Sequence, residues 1–65
     1  MTSEYDPTVD ALYIRLADAH VIESEELRPG LIVDLDAEGR IVGVEILDAS
    51  KHIAPGGDLD RLRAA

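Results

Sequence analysis

The sequence predicts a small α+β domain, mainly β: an antiparallel meander of about four strands followed by a short C-terminal helix. Three observations carry that expectation. "DALYIRLAD" alternates Leu12, Ile14 and Leu16 with Ala11, Tyr13 and Arg15, the period of a half-buried strand. "LIVDLDAEGRIVGVEIL" places two β-branched runs around Asp36-Ala37-Glu38-Gly39-Arg40, a hairpin whose glycine takes the left-handed position of a bulged loop. "DLDRLRAA" then spaces Leu59 and Leu62 three apart behind a capping Asp58, which reads as about two helical turns.

The remaining segments fit around these. In "EYDPTVD" Pro7 pushes Asp6 towards an extended conformation, and the Asp6 carboxylate accepts local backbone hydrogen bonds, so a turn joins a first short strand to the next. "VIESEE" alternates as an exposed edge strand, where its acids discourage stray strand pairing. Arg28-Pro29-Gly30 closes it with a turn. Residues 1–50 thus form the β-rich domain, 51–57 ("KHIAPGG") a linker, and 58–65 the short helix or a frayed tail.

Pairing Asp36 with Arg40 sets a register in which Leu35 faces Ile41, Asp34 faces Val42, Val33 faces Gly43 and Ile32 faces Val44. Leu31, Val33, Leu35, Ile41 and Leu47 then share one side, and Ile32, Val42, Val44 and Ile46 the other, unless a bulge shifts the pairing by one residue. A sheet apolar on both sides needs a cover on both. A chain of 65 residues is marginal alone, and it has no cysteine to supply a disulfide or a thiolate metal site. His20 and His52 match no metal-ligand spacing. A second copy of the chain is the expected source of stability, giving a homodimer.

The net charge is −8 and unevenly spread. Residues 1–50 carry twelve of the fourteen acids against three arginines, a balance of −9, while residues 51–65 stand at +1. An acidic body repels phosphate backbones, so no direct nucleic-acid partner is expected, whereas a basic protein partner would suit it. No apolar run approaches a membrane span, and the absence of a signal-peptide layout and of cysteine fits a soluble, cytoplasmic protein.

Candidate chemistry is thin. Asp34 with Asp36 and Glu38 offers oxygen ligands, but "DLDAEG" lacks the donor spacing of a calcium loop and serves as a hairpin loop. No serine lies in a glycine-flanked elbow, and no glycine pattern makes a phosphate loop. No catalytic residue, metal site or cofactor is therefore expected. The alternative is an acid–base or metal-dependent site in which Asp6, Asp10, Asp34 or Asp36 converge across a dimer interface. As interaction candidates, Tyr13 and Arg15 share a strand side near Asp34, and Leu59 and Leu62 form the apolar stripe of the tail.

Tyr5-Asp6-Pro7, Asp10-Ala11-Leu12-Tyr13, Asp34-Leu35-Asp36, Gly39 and Gly43-Glu45-Ile46-Leu47-Asp48-Ala49-Ser50 together resemble the domain-of-unknown-function family 2283 over Glu4 to Ser50. The resemblance implies a short β-rich domain with a variable C-terminal tail, and brings no activity, cofactor or catalytic residue. Neighbouring small toxin-like proteins in such families imply an antitoxin-like, partner-neutralising role.

Overall fold

The computed structural model describes residues 1–62, apart from the side chains of Asp60 and Leu62. The expected tail stripe therefore has one member, Leu62, whose side chain lies outside the described residues, as do residues 63–65. Five strands form one antiparallel sheet: β1 (Thr2–Asp6), β2 (Ala11–Arg15), β3 (Glu23–Arg28), β4 (Leu31–Leu35) and β5 (Ile41–Leu47), in the order β1-β2-β5-β4-β3. The short strand before Pro7 pairs with β2 along its whole length and brings the count to five. Two units build the sheet: the β1–β2 hairpin and the β3–β4–β5 meander. Residues 16–22 cross over between them so that β5 returns beside β2. Ala49–His52 form a helical turn (α1), and Leu59–Leu62 a 3-10 turn that lies against β1.

The β4–β5 hairpin closes as its residue types require. Asp36 N–H donates to the Arg40 carbonyl at 2.9 Å, and Gly39 N–H to the Asp36 carbonyl at 3.0 Å. Gly39 has φ 77°, a left-handed conformation that a side chain would strain. The Asp36 carboxylate fills the loop, accepting from the amides of Glu38 and Arg40 at 2.9 Å each and from Arg40 Nε at 3.3 Å. Those amides, foremost that of Arg40, hold the Asp36 carboxyl below its ordinary value.

Beyond the first pair, the expected register is corrected. Leu35 does face Ile41, but Asp34 pairs with Gly43, Val33 with Val44, Ile32 with Glu45 and Leu31 with Ile46. A β-bulge absorbs Val42, and one extra residue in β5 moves everything after it to the opposite side. The sheet is consequently not apolar on both faces. One face carries two rows, Ser3–Ile14–Val44–Val33–Glu25 and Tyr5–Leu12–Ile46–Leu31–Arg28. The other carries Glu4–Tyr13–Glu45–Ile32–Glu26 and Thr2–Arg15–Gly43–Asp34–Ser24. The first is the core face and the second is polar and largely acidic. Alternation of β2 follows the expected pattern, with Leu12 and Ile14 inward.

The chain turns helical at Ala49, two residues ahead of the expected linker, and brings Ala49 fully under cover against Tyr5 and Leu12. Ile14, Ile46 and Leu59 pack around that cluster. Within the described part of the expected short tail helix, Leu59–Leu62 form a 3-10 turn. Among the described residues, only Tyr5, Leu12, Val33, Leu35, Val42 and Ala49 are buried apolar side chains, and Val42 alone is large and fully enclosed. That is a small core for a domain, as the chain length implies.

Candidate functional site

Two polar groupings arise from this fold, one at the junction of the sheet with α1 and one on the polar face.

Asp10 is the centre of the first. It sits at φ 54°, in the left-handed region that Asp tolerates better than most residues. Its Oδ1 accepts from Tyr5 Oη at 2.6 Å and from Ser50 N–H at 3.0 Å, and its Oδ2 from Ser50 Oγ at 2.6 Å. Its backbone carbonyl accepts Ala49 N–H at 2.9 Å. The residue that precedes α1, Asp48, makes no side-chain cap. Asp10, forty positions earlier in the chain, supplies both acceptors that the first amides of α1 need. The Ser50 hydroxyl, then the Tyr5 hydroxyl, the Ser50 amide and Lys51 hold the Asp10 carboxyl below its ordinary value of 3.8, against a smaller opposing effect of burial.

That chemistry is structural. A general base works best with a pKa near the operating pH, and Asp10 is driven the other way. The Ser50 hydroxyl spends its proton on a carboxylate with no histidine between them. Because the folded-state pKa is depressed, the carboxylate's contribution to stability is fully present above pH 3.8 and disappears as pH falls through the lower folded value. Asp10→Asn should therefore be less stable than the parent at pH 7, with the gap closing below pH 3.8; urea midpoints across pH measure it. Tyr5→Phe removes one charge-assisted donor from a buried ring and should cost about 1 kcal/mol.

The polar face holds the second grouping. Arg15 and Asp34 both pair with Gly43, so only a glycine separates them, over two strand spacings of about 9–10 Å. Tyr13 covers that glycine: a Cβ on Gly43 would collide with the Tyr13 hydroxyl and come within 3.0 Å of the Ile14 carbonyl. The fold thus brings Tyr13, Arg15 and Asp34 to one face. Arg15 Nη2 is directed to the crossover loop, donating to the Ala19 carbonyl at 2.9 Å with Asp18 at 3.7 Å. Asp34 is buried and accepts from Ser24 Oγ at 2.6 Å. Leu59, the remaining candidate with a described side chain, packs on the core cluster.

Within one chain each of the four carboxylates has its own separate partners. Asp6 Oδ1 accepts Thr8 N–H at 2.9 Å within its own turn, Asp10 is engaged by Tyr5 and Ser50, Asp34 by Ser24 and Asp36 by its loop. Among the described residues, no three His, Cys, Asp or Glu side chains are grouped to hold a metal ion. None of the described helices is long and apolar enough to cross a membrane. The Tyr5–Asp10–Ser50 link is not expected from the sequence, since nothing local relates positions 10 and 50.

This geometry defines a class: a small antiparallel-sheet domain with one apolar and one acidic face, pinned by a Tyr-Asp-Ser junction. The family model described as "Protein of unknown function (DUF2283)" matches residues 3–50, and the chain belongs to that family. The matched span runs from β1 to Ser50 and so includes every member of the junction. No curated protein and no solved structure matches the chain.

Proposed function

We propose that the protein is a non-enzymatic, homodimeric protein-interaction module whose acidic surface receives a basic protein, in the manner of an antitoxin. One observation carries the dimer. Leu16, Ile22 and Ile41 are exposed by 46, 58 and 49%, and all three lie at the end of the sheet where residues 16–22 cross over. Leu16 N–H reaches the Val42 carbonyl, Ile22 N–H the Leu35 carbonyl, and Ile41 pairs with Leu35. Beside them Ile14 and Val44 stay only half-buried, while α1 covers the neighbouring row of Tyr5, Leu12 and Ile46. Val9, Leu27 and Leu47 are exposed as well, towards the opposite end of the sheet, so what singles out this end is that its three apolar side chains adjoin the half-buried Ile14 and Val44; such a patch marks an association surface.

The basic-partner reading rests on charge. Glu23, Glu25 and Glu26 are exposed on the edge strand β3, and Glu4 and Glu26 share the acidic face with Glu45. Such an array raises the association rate of a cationic protein and weakens with salt. Sedimentation velocity tests the dimer. The parent chain should run at twice 7.0 kDa and the Leu16→Glu/Ile41→Glu variant, altered only at exposed positions, at the monomer mass with its circular dichroism unchanged. A parent chain that stays monomeric at every concentration would remove the proposal's foundation.

A further inference from the structure

The opposite end of the sheet carries a different feature. A groove of about 360 Å³ opens between the Pro29-Gly30 turn and α1, lined by Arg28, Leu31, Ile46, Lys51, His52 and Ile53. Its volume lies within the range of small-ligand sites. Leu31 and Ile46 are neighbours in one row of the core face and make an apolar floor with Ile53. Arg28 ends that row, Lys51 and His52 come from the last turn of α1, and the His52 ring rests against Gly30.

The charges make this groove unlike the rest of the surface. Among the described residues, Arg15 pairs with Asp18, Arg40 with Asp36 and Glu38, and Arg61 with Asp58. Arg28 and Lys51 alone among the described lysines and arginines form no ion pair with a described carboxylate, in a chain with a net charge of −8. Both line the same groove, with a histidine beside them. Cations without a close ion pair at the rim of an apolar trough, Lys51 acting on Asp10 only as the smallest of its influences, suit a small molecule with an anionic head and a short apolar body. The head would take charge-assisted hydrogen bonds from the Arg28 guanidinium and the Lys51 ammonium, and the body would lie on Leu31, Ile46 and Ile53. A long polyanion is disfavoured by the acidic surface around it, whereas a small anion meets mainly the local cations.

We propose that this groove is a binding site for a small amphipathic anion, a carboxylate or a phosphate monoester. The site is separate from the proposed dimer surface, which lies at the other end of the strands, and does not rest on it. Amide shifts in ¹⁵N-labelled full-length protein test the idea, with octanoate, octyl phosphate, inorganic phosphate and octanol as probes. Saturable shifts confined to Arg28, Gly30, Leu31 and residues 51–53 are expected with octanoate or octyl phosphate, and whichever binds tighter names the head group. Inorganic phosphate and octanol, each lacking one half, should bind more weakly. Arg28→Gln/Lys51→Gln should weaken the better probe by roughly tenfold or more, while leaving the sedimentation coefficient unchanged. Absence of localised shifts with either amphiphile would overturn the proposal. So would equal binding by octanol, or by the double variant with its dispersed spectrum intact.

Discussion

Leu12→Ala is expected to destabilise the protein by about 3 kcal/mol. Leu12 is 4% exposed and stands in the middle of the cluster that joins the sheet to α1, between Tyr5 across the β1–β2 pair and Ile46 across the β2–β5 pair. Removing its side chain withdraws apolar surface from Tyr5, Ala49 and Leu59 together, and the backbone ladder on both sides of β2 prevents the strands from closing the gap. A domain of this length holds a total stability of about 3–10 kcal/mol, so the variant retains little of it. Urea denaturation at matched protein concentration measures the change, with Val9→Ala, an exposed position away from the proposed dimer surface, expected to shift by less than about 0.5 kcal/mol. A Leu12→Ala loss as small as that of Val9→Ala would place the core elsewhere.

Gly43→Ala should cost about 1–3 kcal/mol, although replacing a strand glycine by alanine is ordinarily favourable. The reversal comes from Tyr13. A methyl group at position 43 meets the Tyr13 hydroxyl and its Cζ, and lies 3.0 Å from the backbone carbonyl of Ile14. The ring can swing away but the carbonyl is held in the β2–β5 ladder. Part of the loss should therefore be recovered when Tyr13 is also truncated. In a cycle of Gly43→Ala, Tyr13→Ala and the double variant, a coupling of about 1 kcal/mol is expected. Strict additivity would mean that Tyr13 does not fill the space over the glycine.

The strands were legible where their cause is local. Alternation in β2, the loop residues Asp36 to Arg40 and the acids of β3 each specify their own element, and the structure has them where the pattern puts them. Asp36 and Gly39 act through bonds within five residues. The bulge at Val42 was not legible, because Val42 and Gly43 suit either register and the choice is made by the fit of Tyr13 over Gly43 from another strand. One extra residue there converted an expected two-sided apolar sheet into a sheet with one apolar and one acidic face. The proposed dimer consequently rests on the exposed Leu16, Ile22 and Ile41 rather than on a second apolar face.

The junction was illegible for a related reason. Asp10 and Ser50 are forty positions apart, and each alone looks like an ordinary turn or helix residue. Only the return of β5 beside β2 brings them together. In the structure Asp48 precedes a helix that it does not cap, and Ala49 is fully buried. Tyr13, Arg15 and Asp34 share one side of the sheet because β2 contains no bulge and Asp34 lies on the unbulged strand of its pair.

The most direct test of the account is an isotope-filtered NOE experiment on an equimolar mixture of ¹³C-labelled and unlabelled protein. Intermolecular contacts among the methyl groups of Leu16, Ile22, Ile41 and Val44 are the result predicted. An absence of intermolecular contacts at these methyls, or contacts mapping instead to the acidic face around Glu4 and Glu45, would contradict it.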